Sequence, residues 1–336
     1  MDLRRRINAF LALGKRLATL PQEEKEELFE KSKYYNPWFT DSNLNLAWRG
    51  LLRYLQEEKL EAWAANYDLK NPQPKRVGVV MAGNIPMVGI HDLICVLLSG
   101  HSLVAKLSSQ DEVLIQFVAK KLIEAEPEYQ KRIFFVDRLK DIDAVIATGS
   151  DNTSRYFEYY FSKYPHIIRK NRTSVAVLTG HETDAELVAL GDDIFTYFGM
   201  GCRNVSKIFL PEGQPIEVLF KHWTGYTHLA DHHKYANNYH YQRSIMIMNM
   251  QIFQDNGFAL FVESNRLVSP LAVVYYSYYS SHDDLKVQLS SVSDKLQCIV
   301  CKDGLLDGTN KFGTAQTPDV MDYADNVDTL KFLMEI

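Results

Sequence analysis

The sequence predicts an α/β protein. It has a helical N-terminus, a parallel sheet with helices on its faces, and a second α/β segment after it. Three observations carry this reading. In residues 1–70, apolar positions recur at helical spacing. From Arg76 onward, short apolar runs alternate with amphipathic stretches, the pattern of a parallel sheet. After Ser174 the alternation resumes. The composition permits two domains of ordinary size: 336 residues, 46 % hydrophobic and 24 % charged.

In chain order, "MDLRRRINAFLALGKRLATL" places Leu3, Ile7, Phe10, Leu11 and Leu17 at helical spacing, with Arg4, Arg5, Lys15 and Arg16 on other faces. No small-residue cleavage site follows; Pro21 and the acidic "QEEKEELFEK" do. The segment is expected to be a helix packed on the body, the alternative being a helix on a membrane surface. "SNLNLAWRGLLRYLQEEKLEAWAANY" is amphipathic and follows Thr40 and Asp41, both suited to cap a helix. "NPQP" breaks the pattern at Asn71 to Pro74. "RVGVVMAG", "SLVAKLS", "RIFFV" and "DAVIATGS" then read as strands. "MVGIHDLICVLLSG", "EVLIQFVAKKLIEAEP" and "DNTSRYFEYYFSKY" read as the helices between and after them. "SVAVLTG", "VSKIFLP", "GFALFVES" and "PLAVVYYSYYS" are later strands, and "TDAELVALGDDIFTYFG" is a helix. Ligands of such sheets bind beyond the carboxyl ends of strands. "GNIP", "KLSS" and "TGSDN" lie there.

Several classes are disfavoured. A net charge of −5 supplies no basic field for nucleic acid. The longest apolar runs, such as "LICVLLSG", are too short to span a bilayer. The four cysteines show no disulfide framework, which points to a reducing, cytoplasmic setting. Cys298 and Cys301 form a C-x-x-C inside "LQCIVC", which reads as a buried strand because no second pair completes a zinc site. His228 and His232 stand four apart, but no third ligand is evident, so no metal is expected. "YYSYYSS" and "YFEYYF" suit packing better than a groove for an acyl chain.

Cys202 is different. It stands in "FGMGCRNVSKIFLPEG", after a helix and between Gly199, Gly201 and the polar pair Arg203-Asn204. Glycines let backbone approach a ligand or take unusual dihedrals. A thiolate there could attack a carbonyl carbon, given a backbone N–H and a side-chain amide to hold the oxyanion. Asn84 in "GNIP", at a strand end, is the best amide candidate. The residues alone leave a second reading open, a buried and inert small hydrophobe.

A resemblance adds to this. "VVMAGNIPMVGIHDLICVLLSGHSLVAKLSS" resembles the cofactor segment of the aldehyde dehydrogenase superfamily. "VIATGS" is similar to its Thr-Gly-Ser turn, "GMGC" to its nucleophile loop and "SPLAVV" to a later strand. "FGTAQTPDVMDYADNVDTLKFL" resembles the tail of its acyl-CoA reductase branch, which includes the LuxC type; in the family this segment closes over the active site. The resemblance covers about residues 70–336. It implies an aldehyde dehydrogenase-like fold: a helical segment at 1–70, a Rossmann-type nucleotide-binding domain at 71–173, a thiol-bearing α/β domain at 174–310 and a returning segment at 311–336. It implies Cys202 as nucleophile and Asn84, with the Cys202 backbone N–H, as oxyanion donors. Lys106 would bind the adenosine ribose, and Thr148, Gly149 and Ser150 would meet the cofactor near its pyrophosphate. A possible homodimer would form through surfaces other than the swapped strand of other members.

Departures from the pattern sharpen the expectation. Hydrolytic members carry a glutamate that activates water; here the register reads "IIRKNRT", with Arg169 near that position. Without this base the acyl-enzyme should resist water. Many NAD-preferring members carry a glutamate three residues after the lysine; here it is Ser109, which tolerates a 2′-phosphate, so NADPH is expected over NADH. The acid expected to hold the nicotinamide ribose aligns with Arg266, a third departure from the pattern. The resemblance thus implies NADPH-dependent reduction of an acyl-CoA or acyl carrier protein thioester to an aldehyde. The rival readings are an acyl-transfer or carrier subunit using Cys202, and an inactive nucleotide-binding module.

Overall fold

Four helices open the chain: α1 (Leu3–Ala18), α2 (Gln22–Tyr35), α3 (Asp41–Tyr54) and α4 (Glu57–Ala65). The computed structural model describes residues 1–69, 73–149, 151–302, 304–306 and 308–336. Helix α1 is capped by Asp2, whose carboxylate accepts the Arg5 N–H at 2.8 Å, and ends on Lys15 and Arg16, opposite in charge to its C-terminal dipole. It buries Ile7, Phe10, Leu13 and Leu17. Arg6 is also buried, its guanidinium donating to the Leu69 carbonyl at 3.0 Å. The long amphipathic stretch of the sequence becomes two helices, α3 and α4, broken at Leu55 and Gln56.

The next elements are β1 (Arg76–Val80), α5 (Ile90–Leu98), β2 (Ser102–Lys106), α6 (Glu112–Ala125), β3 (Ile133–Phe135), β4 (Ala144–Thr148), α7 (Asp151–Phe161) and β5 (His166–Arg169). The strands form one parallel sheet in the order β3-β2-β1-β4-β5. Burial of Val77, Val79, Leu103, Ala105 and Ile146 explains the nearly continuous apolar runs, since such a sheet is covered on both faces. The chain leaves β1 toward β2 on one side and later returns to β4 on the other. The order therefore reverses between β1 and β4, where sheets of this kind bind ligands.

A second sheet follows, with β6 (Thr173–Val177), α8 (Asp184–Phe195), β7 (Val205–Pro211), α9 (His233–Met248), β8 (Gln254–Asp255), β9 (Leu260–Glu263), β10 (Val273–Tyr279), α10 (His282–Ser290) and β11 (Leu296–Cys301). Its order is β11-β6-β7-β10-β9-β8, parallel except for the β8-β9 pair. Strand β11 contains "LQCIVC", with Cys298 and Cys301 buried. Helix α8 opens on a capping box between Thr183 and Glu186.

By contacts the chain divides into two units: Met1–Asn171 with Pro318–Ile336, and Arg172–Thr317. The last helix, α11 (Thr329–Glu335), belongs to the first unit, where it buries Thr329, Leu330 and Leu333. The returning segment is tied in by polar contacts. The Trp63 indole donates to the Tyr323 hydroxyl at 2.7 Å, Tyr67 donates to Asp328 at 2.8 Å, and a His101 ring nitrogen meets the Leu333 carbonyl at 2.7 Å. Among the described residues no helix is long and apolar enough to cross a membrane.

Candidate active site

At the carboxyl end of β1, the "GNIP" turn is pinned on both sides. The Asn36 amide donates to the Gly83 carbonyl at 3.1 Å, and the Met87 N–H donates to the Asp111 carboxyl at 2.6 Å. Gly83 lies so close to the loop after β2 that a Cβ would fall 2.6 Å from Ser108 Oγ. Only glycine permits that approach. Asn84 itself is exposed. Asp111 is buried, and burial pushes its carboxyl well above the usual range, against the opposing pull of the Met87 N–H that it accepts. Met87 has φ 56°, so this hydrogen bond secures a left-handed residue.

Lys106 and Ser109 are exposed at the end of β2 and in its loop. Lys106 pairs with Val80 in the ladder, so it lies beside the start of the Asn84 turn. Thr148 ends β4, Gly149 follows it, and both are half-buried. Ser150 lies outside the described residues; α7 begins at Asp151. The first unit thus collects Asn84, Lys106, Ser109, Thr148 and Gly149 along one edge of its sheet, three of the loops flanking or neighbouring the order reversal.

Arg169, which the resemblance puts near the glutamate of hydrolytic members, is buried at the end of β5. Its guanidinium makes a two-point ion pair with Asp92 of α5, at 2.5 and 2.7 Å, and donates to Thr329 Oγ1 at 3.2 Å. A third contact reaches Thr148 Oγ1 at 3.5 Å. Burial opposes the charge, but Asp92 more than offsets it and holds the guanidinium above its ordinary pKa. The group thus links the ends of β4 and β5 to α5 and α11.

Cys202 belongs to the second unit and is half-buried. The helix before it does not run on as its sequence suggests. α8 ends at Phe195, and Tyr197 (φ 53°, ψ 30°) and Phe198 (φ 60°, ψ 25°) turn left-handed, followed by Gly199 at φ 75°. Two aromatic residues in that conformation are costly, about 1–2 kcal/mol each. Their rings are buried, and Phe198 packs at 4.3 Å from His232 and 5.9 Å from Tyr235. Beyond the turn, the Ser174 hydroxyl donates to the Cys202 carbonyl at 3.1 Å, and Arg203 Nη1 donates to Cys298 Sγ at 3.2 Å. A small cavity of about 20 Å³, lined in part by Phe198, Gly199, Asn204 and Tyr235, lies against this loop.

Besides Asp92, two buried acids escaped the sequence reading. Asp111 is one. The other is Asp193 of α8, whose two oxygens accept the N–H groups of Gly313 and Ala315 at 2.6 and 2.9 Å. It fastens the "FGTAQTP" segment to the helix that leads to Cys202. Neither position carries a local signal, because the partners are remote backbone amides. The paired histidines do not share a helix: His228 lies in a 3₁₀ run, Ile216–Asp231, and His232 caps α9 by accepting the Tyr235 N–H. Among the described residues no cluster of three metal-ligating side chains occurs.

The fold is that of the aldehyde dehydrogenases. A Mycobacterium tuberculosis aldehyde dehydrogenase complexed with NAD+ superposes with a TM-score of 0.64 at 14 % identity, over 90 % of this chain and 73 % of that one. A Methanocaldococcus jannaschii glyceraldehyde-3-phosphate dehydrogenase complexed with NADP gives 0.62 at 13 %, over 90 % and 77 %. A propionaldehyde dehydrogenase variant from a Clostridium phytofermentans microcompartment gives 0.59 at 10 %, over 94 % and 82 %. No curated protein sequence matches. Within this fold the chain belongs to the acyl-CoA reductase (LuxC) family, whose model matches residues 52–219, half of its length. It is therefore an oxidoreductase of aldehyde-related chemistry.

Proposed function

We propose that this chain reduces an acyl-CoA, or an acyl carrier protein thioester, to the aldehyde, with NADPH as hydride source and Cys202 as acyl carrier. One observation carries the reading: in a member of the acyl-CoA reductase family, the half-buried cysteine sits in a loop held on both sides by unusual backbone and buried hydrogen bonds. The Cys202 thiolate attacks the thioester carbonyl carbon. The coenzyme thiol leaves as its thiolate and takes up a proton. Asn84 and the Cys202 backbone N–H donate to the oxygen while it carries charge. The reduced nicotinamide, when bound, supplies hydride to the acyl carbon. The thiohemiacetal so formed on Cys202 then collapses to aldehyde and thiolate.

The donor set on the first unit suits a dinucleotide. An exposed lysine and a neutral serine stand at the β2 end, and a helix begins just after Gly149. Of the related folds named above, one is solved with NAD+ and one with NADP, which supports a nicotinamide cofactor without choosing between the two. Ser109 favours the phosphorylated form. With Arg169 committed to Asp92, that side chain is not a base for water, which supports reduction over hydrolysis.

The test is oxidation of NADPH on adding acyl-CoAs of graded chain length, with aldehyde and coenzyme thiol measured together. We expect equal amounts of both, and loss of at least about a thousandfold in Cys202→Ala. No turnover with any acyl-CoA or carrier-protein thioester would overturn the proposal. Acylation of Cys202 without nicotinamide binding would favour a transfer subunit.

A further inference from the structure

The sheet of the second unit is interrupted on both sides of one residue. Between β6 and β7 the register jumps: Ser174 faces Val205, but Val175 faces Lys207. Between β6 and β11 it jumps again: Thr173 faces Leu296, but Val175 faces Ile299. Each neighbour of β6 therefore carries an extra residue opposite Ser174. Such bulges open the ladder and recur beside active sites.

Ser174 fills both gaps. It is fully buried. Its Oγ accepts the Cys298 N–H at 3.1 Å, from the bulged stretch of β11. Its hydroxyl proton is donated to the Cys202 carbonyl at 3.1 Å, and its backbone N–H is donated to the Asn204 carbonyl at 2.9 Å. The neighbouring Thr173 hydroxyl donates to the same Asn204 carbonyl at 3.2 Å. One buried residue thus grips the cysteine loop on both sides of Arg203. Oγ accepts the Cys298 N–H, which leaves its own proton to be donated, and the acceptor it meets is the Cys202 carbonyl.

We propose that Ser174 is a positioning residue for the reaction. By holding the peptide that follows Cys202 it fixes the backbone torsion of the cysteine, and so the line along which the thiol approaches a carbonyl. It touches no substrate. The proposal rests on the reading of Cys202 as nucleophile.

The experiment compares Cys202→Ala, Ser174→Ala and Ser174→Thr in the full chain, with thermal melting to set a temperature at which each is folded. Single-turnover release of coenzyme thiol from acyl-CoA reads the acylation step alone. We expect Ser174→Ala to slow acylation by about 10- to 100-fold with the KM for acyl-CoA within about twofold, the signature of lost aim rather than lost binding. Ser174→Thr, which keeps the hydroxyl, should recover acylation to within about threefold. If Ser174→Ala does not fold, Ser174→Cys keeps the volume with a weaker donor and is read in the same way. Acylation at the normal rate in a folded Ser174→Ala or Ser174→Cys chain, with Cys202→Ala inactive, overturns the positioning role and leaves the nucleophile standing. Normal turnover in Cys202→Ala overturns both.

Discussion

Position 109 carries an exposed neutral hydroxyl three residues beyond the exposed Lys106. On the proposed cofactor pose, a carboxylate there would meet a 2′-phosphate with like charge. At an exposed site such repulsion is worth about 1–3 kcal/mol, or about five- to 150-fold in affinity. Ser109→Glu is therefore expected to raise the KM for NADPH by that factor and leave NADH nearly unchanged, as steady-state rates with each cofactor will show. Asp193 supports a prediction of a different kind. Burial pushes its carboxyl up to about 7, so the folded state favours the neutral acid. A raised carboxyl pKa stabilises the fold at low pH, and that contribution drains away as pH climbs from the ordinary carboxylate range through about 7. Asp193→Asn cannot accept both amides and should cost about 1–3 kcal/mol at pH 5. The gap to the wild type should narrow toward pH 8, since the amide does not titrate; melting temperatures across that range measure it.

Elements show what a sequence can and cannot announce. The strands of the first sheet were legible because burial on two faces demands continuous apolar runs, and the turns at their carboxyl ends were legible from "GNIP", "KLSS" and "TGS". The break between α3 and α4 was not, since its apolar period runs across Leu55 and Gln56 without a proline or glycine. The left-handed turn before Cys202 was also hidden. Tyr197 and Phe198 are poor candidates for positive φ; both rings are buried, that of Phe198 against His232 and Tyr235, and this burial offsets the strain. Gly199 is the one member of that turn suited to it by chemistry. Gly199→Ala should destabilise the second unit by about 1–2 kcal/mol, read from the denaturation midpoint. Its effect on turnover should be larger than that loss of stability explains, because the strain is delivered three residues from the cysteine. Ser174 was silent in sequence for another reason: its partners come from the loop at 202–204 and from β11, so no local window contains them.

At the scale of the molecule, the first unit is discontinuous and the second is a single run of chain. The sequence hinted at a returning tail only through resemblance, since "DTLKFLMEI" looks like any short terminal helix. What makes it part of the first unit is burial of Leu330 and Leu333 and the hydrogen bonds around Tyr323, Asp328 and His101. Removing residues 329–336 should strip two leucines from that core, at about 2–5 kcal/mol each. Hydrogen exchange is expected to quicken across β1, β2 and α5 while the protected amides of β7 and β10 keep their rates. The same arrangement sets a schedule for synthesis. Domains usually fold in the order in which they leave the ribosome. Here the segment carrying the cysteine is fully delivered by Thr317, whereas the earlier-made sheet that bears Asn84 still lacks its closing helix. The part begun first is the part completed last, so a nascent chain halted just after Thr317 would carry all of the second unit while the first still lacks α11.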